Sequence, residues 1–199
     1  MTRLIFATNN PHKVEEIQAA IGSTLEVISL KQAGIEVEIP EPYDTLQENA
    51  AEKARVIYQL TGSDCFSEDT GLETEALAGA PGVHSARYAG QERSFEANME
   101  KLLAELEGKT NRKARFRTVI SLMLGGRPYF FEGICEGQIL TRPRGDKGFG
   151  YDPVFQPLGS PLSFAQMSLE EKNRFSHRRK AAEQLVAFLR QQQSTHPQP

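Results

Sequence analysis

The stretch "RLIFATNNPHKVEEIQAAIGSTLEVISL", residues 3–30, sets the fold class. "RLIFAT" is a compact apolar run that stops at Asn9-Asn10-Pro11, the pattern of a buried strand giving way to a loop. In "HKVEEIQAAIG" (12–22) Val14, Ile17 and Ile21 fall on one helical face and Gly22 supplies the stop. "LEVISL" (25–30) then alternates as a second strand. Strand, helix, strand in that order predicts an α/β unit with a parallel pair.

Outward from this unit, residues 34–44, "GIEVEIPEPYD", are acidic and carry two prolines, which suits a loop with at most a short edge strand. "TLQE" places Thr45 at an N-cap and Glu48 three later, a capping box that opens a helix to about Leu60. "DCFSED" is the next strand, followed by a turn at Thr70-Gly71. The Gly/Ala/Pro-rich segment 76–90 reads as an ordered loop, and "SFEANMEKLLAELEG" (94–108) as an amphipathic helix with a glycine stop. "ARFRTVISLML" and "RPYFFEGICEGQIL" form a hairpin across Gly125-Gly126. "GFGYDPVFQP" is a loop entering a strand. Ser168 and Glu171 make a second capping box, and Ser176 caps a last helix through about Arg190. "QQQSTHPQP" has no apolar period and reads as a frayed tail, 191–199. No repeat or linker marks a domain boundary, so residues 1–190 read as one domain.

Composition narrows the partners. With 199 residues, 39% hydrophobic and 25% charged, the chain suits one soluble globular domain. The net charge of −3 argues against a surface that coats nucleic acid, yet leaves room for a local basic pocket. Cys65 and Cys135 are too few and too far apart for a disulfide framework or zinc site, and read as buried thiols of a reducing compartment. The N-terminal apolar run is shorter than a signal-peptide core, and no apolar run approaches ~18 residues. The expectation is a cytoplasmic protein that spans no membrane.

Four segments carry chemistry. At the first strand end, Thr8, Asn10 and Lys13 offer a hydroxyl, an amide and an ammonium around a helix N-terminus, where backbone N–H groups and the dipole favour phosphate. An Asn-Pro turn with a surface lysine reads the same residues as pure structure. Glu68 and Asp69 at another strand end repel one another unless a lysine or arginine, a shared proton or a metal ion sits between them. Magnesium is held by one or two carboxylates plus phosphate oxygens and waters, and the acidic loop adds Glu41, with Glu38 behind it. A solvated acidic turn is the plain alternative. In "GDKGFGYDP" (145–153) glycines flank Phe149, which can stack on a base while Asp152 accepts from a ring N–H; taken alone, the segment favours a tight turn with Phe149 in the core. "EEKNRFSHRRKA" (170–181) crowds Lys172, Arg174, His177, Arg178, Arg179 and Lys180 about a helix start, where cations oppose the dipole unless an anion is near. A solvated basic face accounts for Arg179 and Lys180 but less well for Lys172, His177 and Arg178.

Taken as a set, "TNNPHK", "SEDTGLETEALAGAPGVHSARYAG", "GFGYDPVF" and "SHRRKA" resemble the inosine/xanthosine triphosphate pyrophosphatase family, in its motif order and over residues 3 to about 190. The resemblance implies a long mixed sheet flanked by helices, in two lobes with the substrate in a cleft, and a homodimer. It implies Mg²⁺-dependent hydrolysis of deaminated purine nucleoside triphosphates (ITP, dITP, XTP) to monophosphate and pyrophosphate, clearing them from the nucleotide pool. Carried over position by position, Thr8, Asn9, Asn10, Pro11, His12 and Lys13 line the triphosphate. Asp69 is metal ligand and proton acceptor, with Glu68 and Glu41 as further metal carboxylates, and Thr70 touches substrate. Phe149, Gly150, Tyr151 and Asp152 match the base-binding turn, Lys172 the lysine that follows, and His177 and Arg178 the base edge. Glu41 departs from the pattern, because the Thr-Gly that often follows it is absent from "EPYDTLQENA".

The implied mechanism has the ion activate a water that Asp69 deprotonates; the water attacks the α-phosphorus, and Lys13 and Mg²⁺ hold the departing pyrophosphate. Donors from His177 and Arg178 facing O6 of hypoxanthine or xanthine would be stranded by adenine, a mismatch worth ~10⁴-fold or more. Guanine must be turned away at its 2-amino group. Two other classes fit the same residues: a triphosphate sensor that does not cleave, and a pyrophosphatase for pyrimidine or methylated nucleotides.

Overall fold

The computed structural model describes residues 2–195. Its elements are β1 (Thr2–Phe6), α1 (Pro11–Ile21), β2 (Leu25–Ser29), α2 (Leu46–Thr61), β3 (Cys65–Thr74), β4 (Pro81–Gly82), α3 (Phe95–Glu105), β5 (Lys113–Leu124), β6 (Arg127–Ile139), β7 (Phe155–Pro157), α4 (Leu169–Asn173) and α5 (His177–Thr195). The strands make a mixed sheet in the order β2-β1-β3-β5-β6-β7, with β4 paired to β3. β1 runs parallel to both β2 and β3, as a helical crossover requires, whereas β4 and β7 pair antiparallel. The expected α/β class with a long mixed sheet is therefore correct.

The local signals explain the boundaries. Pro11 opens α1 where its missing N–H costs nothing, and Gly22 ends it. Thr45 caps α2 by accepting from the Glu48 N–H, but the Glu48 carboxylate meets the Thr45 hydroxyl at 2.6 Å instead of its backbone, so that capping box is one-sided. The Ser168–Glu171 box on α4 is complete in both directions. Gly125 and Gly126, both at positive φ, join β5 to β6 by a two-residue turn. Residues 34–44 contain no strand. The tail expectation is corrected: α5 runs on to Thr195, and residues 196–199 lie outside those described.

One expectation fails in a way that matters for the site. β3 does not turn at Thr70-Gly71 but continues to Thr74. Gly71 is what lets it continue: a Cβ there would stand 2.6 Å from the Gly82 carbonyl oxygen of β4.

The chain forms two compact units. The first comprises residues 1–69, 118–133 and 178–199, and the second residues 70–117 and 134–177. In the first, Leu4, Phe6, Ile17, Phe66, Ile120, Leu122 and Leu185 form a core on one side of the sheet, with Phe6 and Phe66 stacked at 4.5 Å. Ala7, Leu30, Ala54, Ile57, Cys65 and Met123 form another under α2. In the second unit Leu72, Leu102, Phe116, Cys135, Val154, Phe155 and Phe164 make a single core. Cys65 and Cys135 are buried free thiols, and burial pushes that of Cys65 up to about 12.

Candidate active site

The buried acids lie within β3, not at its end, and strand geometry separates them. Successive side chains point to opposite faces of a sheet. Phe66 packs in the core that includes α1 and α5 residues, whereas Cys65 packs with Ala54 and Ile57 of α2 and the Ser67 hydroxyl donates to the Ala50 carbonyl. Glu68 and Asp69 inherit these two directions.

Glu68 meets the cations of α1 and α5. The Lys13 ammonium stands 3.0 Å from its carboxylate, and Arg178 donates through Nε at 2.7 Å and Nη2 at 3.0 Å. Nη1 of the same guanidinium donates to Glu16, one turn along α1 from the helix start. All but Lys13 are buried almost completely. Burial would push Glu68 up, but Arg178 and then Lys13 overcome it and hold the carboxyl well below the usual range.

Asp69 meets the cation of α2. Lys53 donates to Asp69 at 2.9 Å and to Glu41 at 2.6 Å, so one ammonium joins two carboxylates. Burial works against the charge on Lys53, and the pair of acids more than reverses it. Asp69 moves upward through burial, with Glu41 adding to the effect against the pull of Lys53 and Lys13.

At the α1 N-terminus the Asn10 side chain accepts from the His12 and Lys13 N–H groups, and the Asn10 N–H donates to the Thr8 hydroxyl. Asn9 donates to the Val37 carbonyl of the acidic segment at 3.3 Å. His12 and Pro11 are exposed.

In the second unit the turn at Gly148-Phe149-Gly150 closes on Asp152. Its carboxylate accepts from the Phe149 N–H at 2.9 Å and from Lys172 at 2.5 Å, and a Cβ on Gly148 would sit 2.1 Å from it. Lys172 also lies 5.3 Å from the centre of the Phe149 ring. The His177 imidazole is stacked on Phe116 at 4.7 Å and 11°. Tyr151 donates to the Ser85 carbonyl, while the Ser85 hydroxyl accepts from the Leu72 N–H and reaches the Gly82 carbonyl. Burial raises the Tyr151 phenol. Thr70, half-buried, follows Asp69 on β3.

Sequence and structural comparisons agree. The model of the Ham1 family matches residues 4–188. The chain belongs to the Ham1 family. The dITP/XTP pyrophosphatase of Porphyromonas gingivalis is 52% identical over 95% of this chain and 98% of its own length, and that of Flavobacterium psychrophilum 48% over 94% and 99%. The Staphylococcus aureus Ham1 protein structure superposes with a TM-score of 0.86 at 36% identity, over 96% of this chain and all of that one.

Within this Ham1 chain the expected residues divide between the two units. Thr8, Asn9, Asn10, Pro11, His12, Lys13, Glu41, Glu68, Asp69 and Arg178 fall in the first, and Thr70, Phe149, Gly150, Tyr151, Asp152, Lys172 and His177 in the second. Three of these groups have protein partners that bear on their expected roles. Glu68 and Asp69 face apart, Glu68 paired with Lys13 and Arg178 and Asp69 with Lys53. Arg178 directs three of its N–H groups at Glu68 and Glu16. Asp152 carries Lys172 and a backbone N–H on its Oδ2.

Among the described residues, no three of His, Cys, Asp or Glu gather as a metal cluster. Lys53 is the residue that sequence reasoning missed, though a signal was present. Leu46, Ala50, Ala54 and Ile57 form the buried stripe of α2, and a lysine interrupts it. A long cation placed in an apolar stripe needs a buried anion. Glu16, buried beside Ile17, carried the same signal.

Proposed function

We propose that this chain hydrolyses dITP, ITP and XTP to the nucleoside monophosphate and pyrophosphate. The observation that carries the reading is the Glu41–Lys53–Asp69 group, set in a chain whose relatives are dITP/XTP pyrophosphatases along nearly their whole length. In the first unit three buried or half-buried cations, Lys13, Lys53 and Arg178, face four carboxylates, which leaves one net negative charge. That deficit and the hard oxygen donors of Asp69 and Glu41 suit a small divalent cation, and two protein carboxylates are the number Mg²⁺ ordinarily takes beside phosphate oxygens. Glu68, turned to the other face, is not assigned to it. When bound there, Mg²⁺ would supply charge neutralisation for the phosphates and acidify a bound water.

The chain's own residues do the rest. The α1 N-terminus and the Lys13 ammonium take the negative charge of the triphosphate and of the departing pyrophosphate. Glu68 holds Lys13 from beneath, and Arg178, fixed by Glu16, orients Glu68. Asp69 accepts the proton of the water that attacks the α-phosphorus, a task suited to a carboxylate raised by burial. Phe149 stacks on the base, and Lys172 fixes Asp152 within its turn. His177 supplies the donor to O6.

The test is direct. The purified protein is incubated with ITP, dITP, XTP, ATP and GTP, with and without Mg²⁺, and products are separated. The expected result is monophosphate and pyrophosphate from the first three only, and only with metal. Orthophosphate release, equal turnover of ATP, or undiminished cleavage after chelation would overturn the reading.

A further inference from the structure

The helix that carries Lys53 also grips the segment that carries Glu41. Asn49 lies one turn before Lys53 on the buried face of α2 and is 1% exposed. Its amide makes two bonds to a single residue: Nδ2 donates to the Tyr43 carbonyl at 2.9 Å, and Oδ1 accepts from the Tyr43 N–H at 3.0 Å. Only one orientation of the amide satisfies both, since the Tyr43 N–H needs an oxygen and its carbonyl needs N–H. The pair imitates a rung of a sheet in a segment that has no strand. Glu41 is two residues away, and Asn9 also reaches this segment, donating to the Val37 carbonyl at 3.3 Å. An i, i+4 spacing on α2 therefore places the backbone anchor and the ammonium that receives the Glu41 carboxylate on one face.

We propose that Asn49 is a positioning residue for the divalent cation, fixing the backbone at Tyr43 so that the Glu41 carboxylate is held beside Asp69. The proposal rests on the functional reading above only in naming Glu41 and Asp69 as the donors. An asparagine that merely closed the loop before α2 would affect stability and leave the affinity for metal where it was. Truncation of Asn49 acts instead through Glu41: it loosens one donor and leaves the Asp69 side of the site in place.

The test uses the full chain and its Asn49→Ala, Asn49→Asp, Glu41→Gln and Asn49→Ala/Glu41→Gln forms. Mn²⁺ binding is titrated by electron paramagnetic resonance without nucleotide, and half-activating Mg²⁺ is measured in ITP hydrolysis. In Asn49→Ala both constants should weaken about 10-fold, while kcat at saturating Mg²⁺ stays within about 3-fold of the parent. On a Glu41→Gln background the same truncation should add less than 2-fold. Asn49→Asp keeps the acceptor for the Tyr43 N–H and should fall between, and it decides the matter if the alanine form does not fold. Unchanged Mn²⁺ affinity in the Asn49 variants, full multiplication of the two losses, or no Mn²⁺ binding by the parent overturns the proposal. A parent that binds Mn²⁺ but leaves ITP intact overturns the hydrolase reading alone, and the variants' Mn²⁺ affinities still decide the role of Asn49.

Discussion

Lys53 joins the Glu41 and Asp69 carboxylates at 2.6 and 2.9 Å, so its removal tests whether Asp69 depends on that shared cation. Lys53→Met keeps most of the volume and leaves Glu41 and Asp69 facing each other across an apolar chain. Without the Lys53 ammonium the burial of Asp69 and the nearby Glu41 carboxylate meet less opposition, which favours the protonated acid, and a protonated Asp69 cannot accept a proton from water. We expect ITP turnover at pH 7.5 to fall at least ~10²-fold, the low end for loss of general-base action. A variant retaining a tenth of parental kcat would show that Asp69 does not depend on Lys53. His177 is tested by selectivity instead of rate. Its imidazole is held flat against Phe116, and in its proposed role as donor to O6 its loss in His177→Ala costs ITP a bond and ATP none. The ratio of kcat/KM for ITP over ATP should drop at least ~10-fold, as for a lost hydrogen bond of ~1.4 kcal/mol or more. An unchanged ratio would take the base edge away from His177.

Among elements, β3 decides most. Gly71→Ala brings a Cβ to 2.6 Å from the Gly82 oxygen, and neither backbone has a flexible end to move. Overpacking of this kind costs about 1–3 kcal/mol, a fall in Tm of roughly 2–12 °C for a chain of this size. Calorimetry of the variant beside the parent checks it, and an unaltered Tm would mean that β4 yields freely. β3 also shows where sequence reading stops. Helix starts were legible because their signals are local: Pro11 at the head of α1, Thr45 and Ser168 at caps, Gly22 at an end. The strand-helix-strand order of β1, α1 and β2 was legible from apolar period alone. That β3 passes through Thr70-Gly71 was not, because the reason is a partner strand at Gly82, beyond a loop. The site residues divide in the same way. Lys13, Asp69 and His177 were singled out by motif, whereas the partners of Arg178 lie 110 and 162 residues away in sequence. No local pattern reports a pairing that only the folded chain creates.

At the scale of the whole molecule, the ion pairs buried beneath α1 and α5 couple stability to pH. Glu68 is fully buried and paired to Arg178 and Lys13, which hold its carboxyl far below the 4.5 it would show when exposed. A group depressed on folding binds its proton more weakly in the native state than in the unfolded one. Its stabilising contribution is thus complete above pH ~4.5 and is lost progressively as the solution becomes more acid. Glu68→Gln removes that dependence. Losing one partner of a buried pair costs about 3–5 kcal/mol, so near pH 7 the variant should melt roughly 6–20 °C below the parent. In parallel scans from pH 7 down to pH 3, this gap should hold to about pH 4.5 and then close, because the parent gives up below that point what the variant never had. Arg178→Ala supplies the converse: with the guanidinium gone, Glu68 and Glu16 remain buried without the cation they share, and acidification should relieve them. Its Tm deficit should shrink with falling pH, beginning above pH 4.5 because its carboxylates are no longer depressed. A gap to the parent that stays constant across the whole range in both variants would mean that the network carries no proton linkage, and that Glu68 is held in place by packing alone.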